Sequence, residues 1–331
     1  MSRTSRYAFI LAKTYGILAR SFVGKNYRDL LRLKKLTELY DLLFPGERKE
    51  TPAQGMAVEL EERIVRASID SMTYILGFLK EPAEILVHIL RRLEYQSLKG
   101  AIRAMANGQG QPGRTWDLGP YAALHLEGAK DLEKAIRSSP YSWILPHLKT
   151  EPLARVENLL DQEYYSRLLQ LSRALPARER TGVLRLVGLE IALANVIWAL
   201  RLRFYYSMDF ERARPLLIPG LGETARLAVM AVFEIPPDSV EEWRKWKYGW
   251  LLEDQLGESF RSPDPVRAEQ KASQRMYLRA HQLFHQAPFT LAPLVAYFKL
   301  KEYEADLLKT AVEAMKLSIP EQEVLAMTGA R

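Results

Sequence analysis

The chain of 331 residues contains no cysteine. Disulfides, thiolate metal sites and cysteine nucleophiles are therefore excluded, which fits a cytoplasmic protein. The sequence also lacks a GxxxxGK[ST] motif and therefore a Walker-type nucleotide site. It contains neither a GxSxG nucleophile motif nor a DDxxD cluster of the kind that holds Mg²⁺ in all-α prenyl-transfer enzymes. These absences predict a protein with no catalytic, cofactor or metal site.

Long hydrophobic runs and alternating strand patterns are also scarce. The longest apolar run, Ile191–Leu200, is about half of the roughly 20 residues that cross a bilayer, and it contains Asn195. The early run YAFILA ends at Lys13, too soon for a signal peptide. We therefore expect no membrane span and no leader, and association with a membrane only through a partner.

Positive charge is concentrated at the start of the chain. The net charge is +7, and residues 1–40 hold nine Lys or Arg against two acidic residues. Such a basic segment suits nucleic acid, anionic lipid or an acidic partner, but most often it is simply a solvated surface.

Helical periodicity dominates the rest of the chain and predicts an all-α fold. Polar loops and Pro- or Gly-rich breaks separate the periodic segments, the most linker-like being NGQGQPG at 107–113. The predicted helices lie at 5–22, 26–43, 56–79, 82–106, 119–138, 152–174, 180–207, 222–234, 240–260, 265–286 and 293–316.

A Glu followed by a large apolar residue opens three of the long helical stretches. These are LEYQSLKGAIRAMANG, LEIALANVIWALRLRF and KEYEADLLKTAVEAMK, which contain Glu94, Glu190 and Glu302. Their spacing of roughly 100 residues predicts three similar helical bundles, at 1–110, 111–220 and 221–331. Such pairs are common on helices, so chance repetition is the alternative.

The C-terminal stretch 294–315 predicts an amphipathic helix with one apolar stripe and charged residues around the remaining circumference. The order AYFKLKEYEADLLKTAVEAMKLSIPEQEV resembles the C-terminal signature of the C subunit of prokaryotic V/A-type rotary ATPases, the counterpart of the d subunit of the eukaryotic vacuolar enzyme. The family pattern is AY, two or three residues, KE, one residue and E, before a long helix and a Pro-started short one. The matching residues are Tyr297, Lys301, Glu302 and Glu304.

The central stretch ANVIWALRLRFYYSMDFERARPLLIPG resembles the same family's middle segment. The matching residues are Asn195, Arg201, Arg203, Pro219 and Gly220. The opening, a Tyr-rich helix followed by an L-xx-L helix, is also similar to the family. Two features depart from it: LAN replaces an acid-led D-x-x-N, and the turn reads LIPGLG, where a second Gly often follows the first directly.

The resemblance implies three bundles in a pseudo-threefold, funnel-like socket. It also implies a non-catalytic role on the cytoplasmic face of a membrane, between the D and F subunits of the central stalk and the proteolipid ring. It implies ATP-linked proton or sodium transport and no nucleic-acid partner. The nine matching residues become candidates for the family signature or a partner interface, and ion pairs within the helices or between repeats are the alternative for the charged ones.

Two other classes of function stay open from the residues alone. A helical-repeat scaffold that binds another protein or RNA needs no further motif, and an all-α enzyme with an unrecognised pocket would need converging carboxylates or a metal.

His281 and His285 share one helix face but need a third ligand for Zn²⁺. The match of GQGQPG to G-x-G-x-x-G lacks the preceding strand of a dinucleotide site, which favours a linker. Trp243, Trp246 and Trp250 at helical spacing predict core or interface packing.

Overall fold

A computed structural model describes residues 3–23, 25–46, 53–108, 114–126 and 131–328. These residues form helices and no β-strand, so the all-α prediction is confirmed. The α-helices are α1 (Arg3–Leu18), α2 (Lys25–Leu31), α3 (Leu36–Leu43), α4 (Ala53–Leu76), α5 (Glu84–Leu90), α6 (Arg92–Ala106), α7 (Leu132–Arg137), α8 (His147–Thr150), α9 (Leu153–Ala174), α10 (Ala177–Phe204), α11 (Phe210–Ala213), α12 (Glu223–Glu234), α13 (Val240–Lys245), α14 (Pro265–His285), α15 (Ala292–Leu317) and α16 (Glu321–Thr328). Single 3₁₀ turns lie at Gly119–Tyr121, Ser142–Ile144, Arg214–Leu216 and Gly249–Leu251. Residues 109–113 of the predicted linker lie outside the described residues, as do residues 47–52.

The predicted helix at 119–138 is wrong over most of its described part. Within the described part of that stretch only α7 and one 3₁₀ turn are helical. The reason is tertiary: the main-chain N–H groups of Ala123 and Leu124 donate to the carboxylate of Glu94 instead of to carbonyls of a preceding turn. The sequence around Ala123 does not indicate that Glu94, on a different helix, will be the acceptor.

The predicted helix at 240–260 ends early, at Lys245. Beyond it the main chain is extended at Trp246, whose indole N–H donates to the carbonyl of Ala228 at 2.8 Å. Gly249 passes so close to the carbonyl of Trp243 that a Cβ there would lie at 2.5 Å. Trp243 and Trp246 are buried, so the predicted packing role is confirmed for both, although a continuous helix does not present them.

The chain divides into two compact units, one formed by Met1–Lys80 with Val266–Arg331 and the other by Glu81–Pro265. The first unit therefore combines the two ends of the sequence. The three bundles with boundaries at 110 and 220 stay a prediction.

The first unit is built on the packing of α4 against α15, with α1, α2 and α3 also contacting α15. Leu60 and Ile64 of α4 share a core with Ala311 and Val312 of α15. Each fully buried Leu or Ile contributes about 1.5–3 kcal/mol. The run Ala292–Leu300 is buried on every side, so the predicted single apolar stripe is wrong for the first turns of α15.

The second unit centres on α9 and α10. Leu160 and Leu168 of α9 and Val187 and Val196 of α10 are buried, and α5, α6 and α12 pack around the pair. Helix α10 is long and apolar enough to cross a membrane by composition, yet 67% of its most apolar window is buried inside the protein. That burial is typical of a core helix, which explains its composition without a bilayer.

Candidate functional site

The sequence-matched residues on α10 and α15 form hydrogen bonds and ion pairs within the protein. Asn195 of α10 is completely buried. Its side-chain N–H donates to the carbonyl of Ile218 at 3.0 Å, and the N–H of Ile218 donates to its Oδ1 at 2.7 Å. Because a buried amide must be satisfied, this two-way contact fixes the turn around Ile218 against the core helix.

The same turn contains Pro219 and Gly220, which are both exposed. Gly220 has φ of +85°, and a Cβ there would lie 3.0 Å from Leu169 of α9. Only glycine adopts this φ without strain. Asn158 of α9 adds a hydrogen bond to the carbonyl of Leu216 at 2.8 Å. The predicted signature turn is therefore a rigid surface feature held from beneath by two long helices.

Replacement of Asn195 by Leu should lower the free energy of unfolding by about 2–4 kcal/mol, since it leaves the buried N–H and C=O of Ile218 without partners. Asn158→Ala is the matched control: it removes one partly exposed hydrogen bond to the same segment and should cost about 1 kcal/mol. Urea unfolding followed by circular dichroism measures both. Equal losses for the two variants would contradict the assignment of Asn195 as the main anchor.

Arg203 of α10 reaches α12, where its guanidinium donates to the carbonyl of Val232. Burial lowers the pKa of Arg203. Arg201 is half-buried on the same turn. Arg203 therefore ties two helices of the second unit together.

The four matching residues of α15 form three separate sets of contacts. Glu304, only 5% exposed, accepts the N–H of Phe22 at 2.7 Å and pairs with Lys301. Glu302 pairs with the buried Lys299 at 3.0 Å. Tyr297 is fully buried, its hydroxyl bonds to Ser71 of α4, and burial raises its pKa. The Lys301–Glu304 and Lys299–Glu302 contacts are the ion pairs within the helix that the sequence left as an alternative, whereas an additional role toward a partner stays a prediction.

Sequence reasoning used Glu94 only as a repeat marker and missed its role. Glu94 of α6 is 2% exposed, and its Oε1 accepts the N–H of Ala123 at 2.6 Å and of Leu124 at 3.1 Å. The hydroxyl of Tyr141 donates to its Oε2 at 2.5 Å, and burial together with this carboxylate raises the pKa of Tyr141. No local sequence signal could have found this role, because the acceptor Glu94 and its donors Ala123 and Leu124 are about 30 residues apart in the chain.

Three long helices thus share one device. Glu94 on α6, Asn195 on α10 and Glu304 on α15 each capture the main-chain N–H of a segment outside their own helix. We call these three residues the buried clamps. Glu190, the marker of the second predicted repeat, instead forms an ion pair, in which its Oε1 lies 3.4 Å from Nη1 of Arg92. Each clamp holds main chain in place within its own unit.

The two histidines of α14 lie close together. Their ring centroids are 4.7 Å apart, and the hydroxyl of Tyr15 lies 3.0 Å from Nδ1 of His285, which joins α1 to α14. Burial, and then the neighbouring His285, lower the pKa of His281 below its ordinary 6.5. The described residues contain no group of three or more His, Cys, Asp or Glu placed to hold a metal ion.

The lowered pKa makes the folded protein favour neutral His281. Its contribution to stability is fully present above the unfolded pKa of about 6.5 and is lost as the pH falls through the lower folded pKa. We expect His285→Gln to raise the pKa of His281 because a neighbouring positive charge is removed. An NMR titration of the imidazole protons measures this, with His147→Gln in the other unit as the control. An unmoved or lower pKa in His285→Gln would show that the pair is not coupled.

Comparison with known proteins gives one family and several relatives. The family model described as "ATP synthase (C/AC39) subunit" matches residues 10–327. An uncharacterized protein of Treponema pallidum is 26% identical over 307 residues, 90% of this chain and 89% of that protein. The C subunit of the A-type ATP synthase of Methanosarcina mazei is 26% identical over 180 residues, 53% of this chain and 48% of that relative. The same subunit of Methanosphaera stadtmanae is 24% identical over 214 residues, 62% of this chain and 55% of that relative. The matched region spans about half the length of these two A-type relatives.

Proposed function

Because the chain belongs to the ATP synthase (C/AC39) subunit family, we propose that it is the non-catalytic central-stalk socket of a V/A-type rotary ATPase or ATP synthase. In this role it receives the foot of the stalk, formed by the D and F subunits, and rests on the proteolipid ring. It transmits torque between the ATP-driven head and the ring that moves protons or sodium ions.

The observation that carries the proposal is the family match over residues 10–327. It confirms the resemblance drawn from the AYFKLKEYE and ANVIWALRLRF segments. The relatives named as C subunits of A-type ATP synthases support the same conclusion. The family match favours this function over a helical-repeat scaffold for an unrelated protein or RNA.

The mechanics of the two units suit a torque coupler. Such a protein needs stiffness and broad complementary surfaces more than reactive groups. Long helices packed at α4–α15 and α9–α10 resist bending, and the buried clamps hold irregular segments against α6, α10 and α15. Peripheral attachment at the cytoplasmic face would then require no span of its own, in agreement with the burial of α10.

The deciding experiment mixes the full chain with the purified D and F stalk subunits and, separately, with the proteolipid ring in detergent. We expect the chain to co-elute with each and to bridge them when all are present. Binding to neither would overturn the proposal, and tight binding to RNA at physiological salt in its place would favour the alternative. Stoichiometric complexes by size exclusion provide the readout.

The exposed residues Pro219 and Gly220 are the part of the predicted interface that can be tested without disturbing the core. Pro219→Arg should weaken binding to the stalk or the ring about tenfold if the turn contacts either, because a buried unpaired cation disrupts an interface. Pro237→Arg, at another exposed turn of the same unit, is the matched control. Unchanged affinity for both partners in Pro219→Arg would remove this turn from the interface while leaving the family role intact.

A further inference from the structure

The first unit contains a cavity of about 620 Å³. The family signature assigns no ligand to this cavity. Helices α1, α4 and α15 form its walls, and Phe22 and Phe44, from the α1–α2 and α3–α4 connections, also line it. Ile64, Ala305 and Leu308 supply apolar lining. The volume falls within the roughly 300–1,000 Å³ of small-molecule sites.

The exposed side of this cavity is positively charged. Lys13 and Arg20 line it from α1 and the turn that follows, and both are exposed. Neither forms an ion pair with another described residue, although Lys13 lies 5.4 Å from the ring centroid of Phe9. Glu304, the only carboxylate among the described lining residues, is already neutralised by Lys301 and bonded to the N–H of Phe22. The lining therefore offers two uncompensated cations beside an apolar interior.

A buried polar group in the lining also lacks a partner. Ser21 is 3% exposed, and its hydroxyl has no hydrogen-bond partner in the described part of the chain. The other lining serines are satisfied, Ser68 by the carbonyl of Lys301 and Ser71 by Tyr297. Because buried hydroxyls are normally bonded, Ser21 next to Arg20 indicates a site for an acceptor oxygen.

We propose that this cavity binds a single-chain anionic amphiphile, the chemistry shared by a free fatty acid and one acyl chain of an anionic phospholipid. The head oxygens contact Lys13, Arg20 and the hydroxyl of Ser21, and the acyl chain fills the space between α4 and α15. A neutral acyl chain would leave Lys13 and Arg20 without a counter-charge. A short polar anion would leave the apolar lining of the cavity in contact with water. The proposal does not depend on the role in a rotary ATPase.

Titration calorimetry of the full chain with oleate below its micelle concentration tests the proposal, with oleyl alcohol and a poly-glutamate peptide as probes of charge and chain. Oleate should bind at least about tenfold more tightly than either. Vesicles of phosphatidylglycerol, compared with phosphatidylcholine, distinguish a lipid in a bilayer from a free chain. Equal binding of the alcohol, or tighter binding of the peptide, would overturn the proposal.

Gly16 allows the cavity to be filled without disturbing the fold, because a Cβ there meets no atom within 4 Å. Gly16→Leu should weaken oleate binding at least about tenfold, whereas Gly16→Ala should leave it within about twofold.

The double variant Lys13→Glu with Arg20→Glu should weaken oleate binding as much as Gly16→Leu does, and Arg6→Glu on α1 is the charge control. Melting temperatures confirm folding of each variant. Oleate affinity that is unchanged in Gly16→Leu or in the double charge reversal would place the ligand elsewhere and refute the assignment.

Discussion

Glu304→Ala is expected to lower the free energy of unfolding by about 3–5 kcal/mol, the cost of breaking a buried ion pair. Its carboxylate is 6% exposed and its partner Lys301 is 13% exposed, so removal of the acid leaves a cation with little access to water. The substitution also leaves the N–H of Phe22 without its acceptor. The effect should therefore reach both α15 and the α1–α2 connection, which lie far apart in the sequence.

The matched control for Glu304 lies on the same helix. Glu313 pairs with Lys316 at 3.1 Å across the same three-residue spacing, but the two side chains are 45% and 53% exposed. Glu313→Ala should change the free energy of unfolding by less than about 1 kcal/mol, because exposed pairs contribute little. Lys301→Met combined with Glu304→Leu should recover part of the loss, since no charge stays buried. Similar losses for Glu304→Ala and Glu313→Ala, measured by urea unfolding, would contradict the assigned burial.

Glu94→Ala should destabilise the second unit by a similar amount, about 3–5 kcal/mol. One carboxylate accepts three hydrogen bonds, from the N–H groups of Ala123 and Leu124 and from the hydroxyl of Tyr141. Hydrogen bonds to a charged group contribute about 1.5–3 kcal/mol each, and they are not fully additive. The loss should be concentrated in the non-helical stretch that Glu94 holds.

Hydrogen exchange provides the specific measurement for Glu94. The amides of Ala123 and Leu124 should lose protection in Glu94→Ala and keep part of it in Glu94→Gln, whose carbonyl still accepts. Tyr141→Phe removes one donor and should cost about 1–2 kcal/mol. Glu84→Ala, which breaks the more exposed pair with Arg167, is the control in the same unit. Retained protection of both amides in Glu94→Ala would show that another acceptor holds this segment.

Variants of the buried clamps also distinguish effects on stability from effects on partner binding. Glu304 and Asn195 match the family signature, yet both are buried and bonded within the chain. Variants at these positions should lose partner binding only to the extent that they unfold. Pro219, in contrast, is exposed on a rigid turn and can affect binding while the fold stays intact. Comparison of the two kinds of variant therefore distinguishes scaffold residues from contact residues.

Local chemistry along the chain was enough to predict the helical class and several helix ends. The 3.6-residue periodicity and the Pro and Gly breaks act between residues a few positions apart, so they can be recognised without a structure. Ser239 caps α13 in the way that a Ser three residues before a Glu predicts, because its hydroxyl accepts the N–H of Glu242 at 3.4 Å. Pro265 begins α14 as the first-turn preference for proline predicts. The order of the residues in the AYFKLKEYE segment likewise indicated the family.

Tertiary structure alone decided the function of the polar residues in those patterns. A side chain such as Glu94 or Glu304 has the same sequence signature whether it faces water or captures a distant main-chain N–H. Phe22 and Glu304 come from opposite ends of the chain, and only the pairing of both ends in one unit brings them within 2.7 Å. The same pairing creates the cavity beside Lys13 and Arg20. Burial and long-range contact determine which charged groups stabilise the protein and which stay available to a ligand, and neither is encoded in the spacing of neighbouring residues.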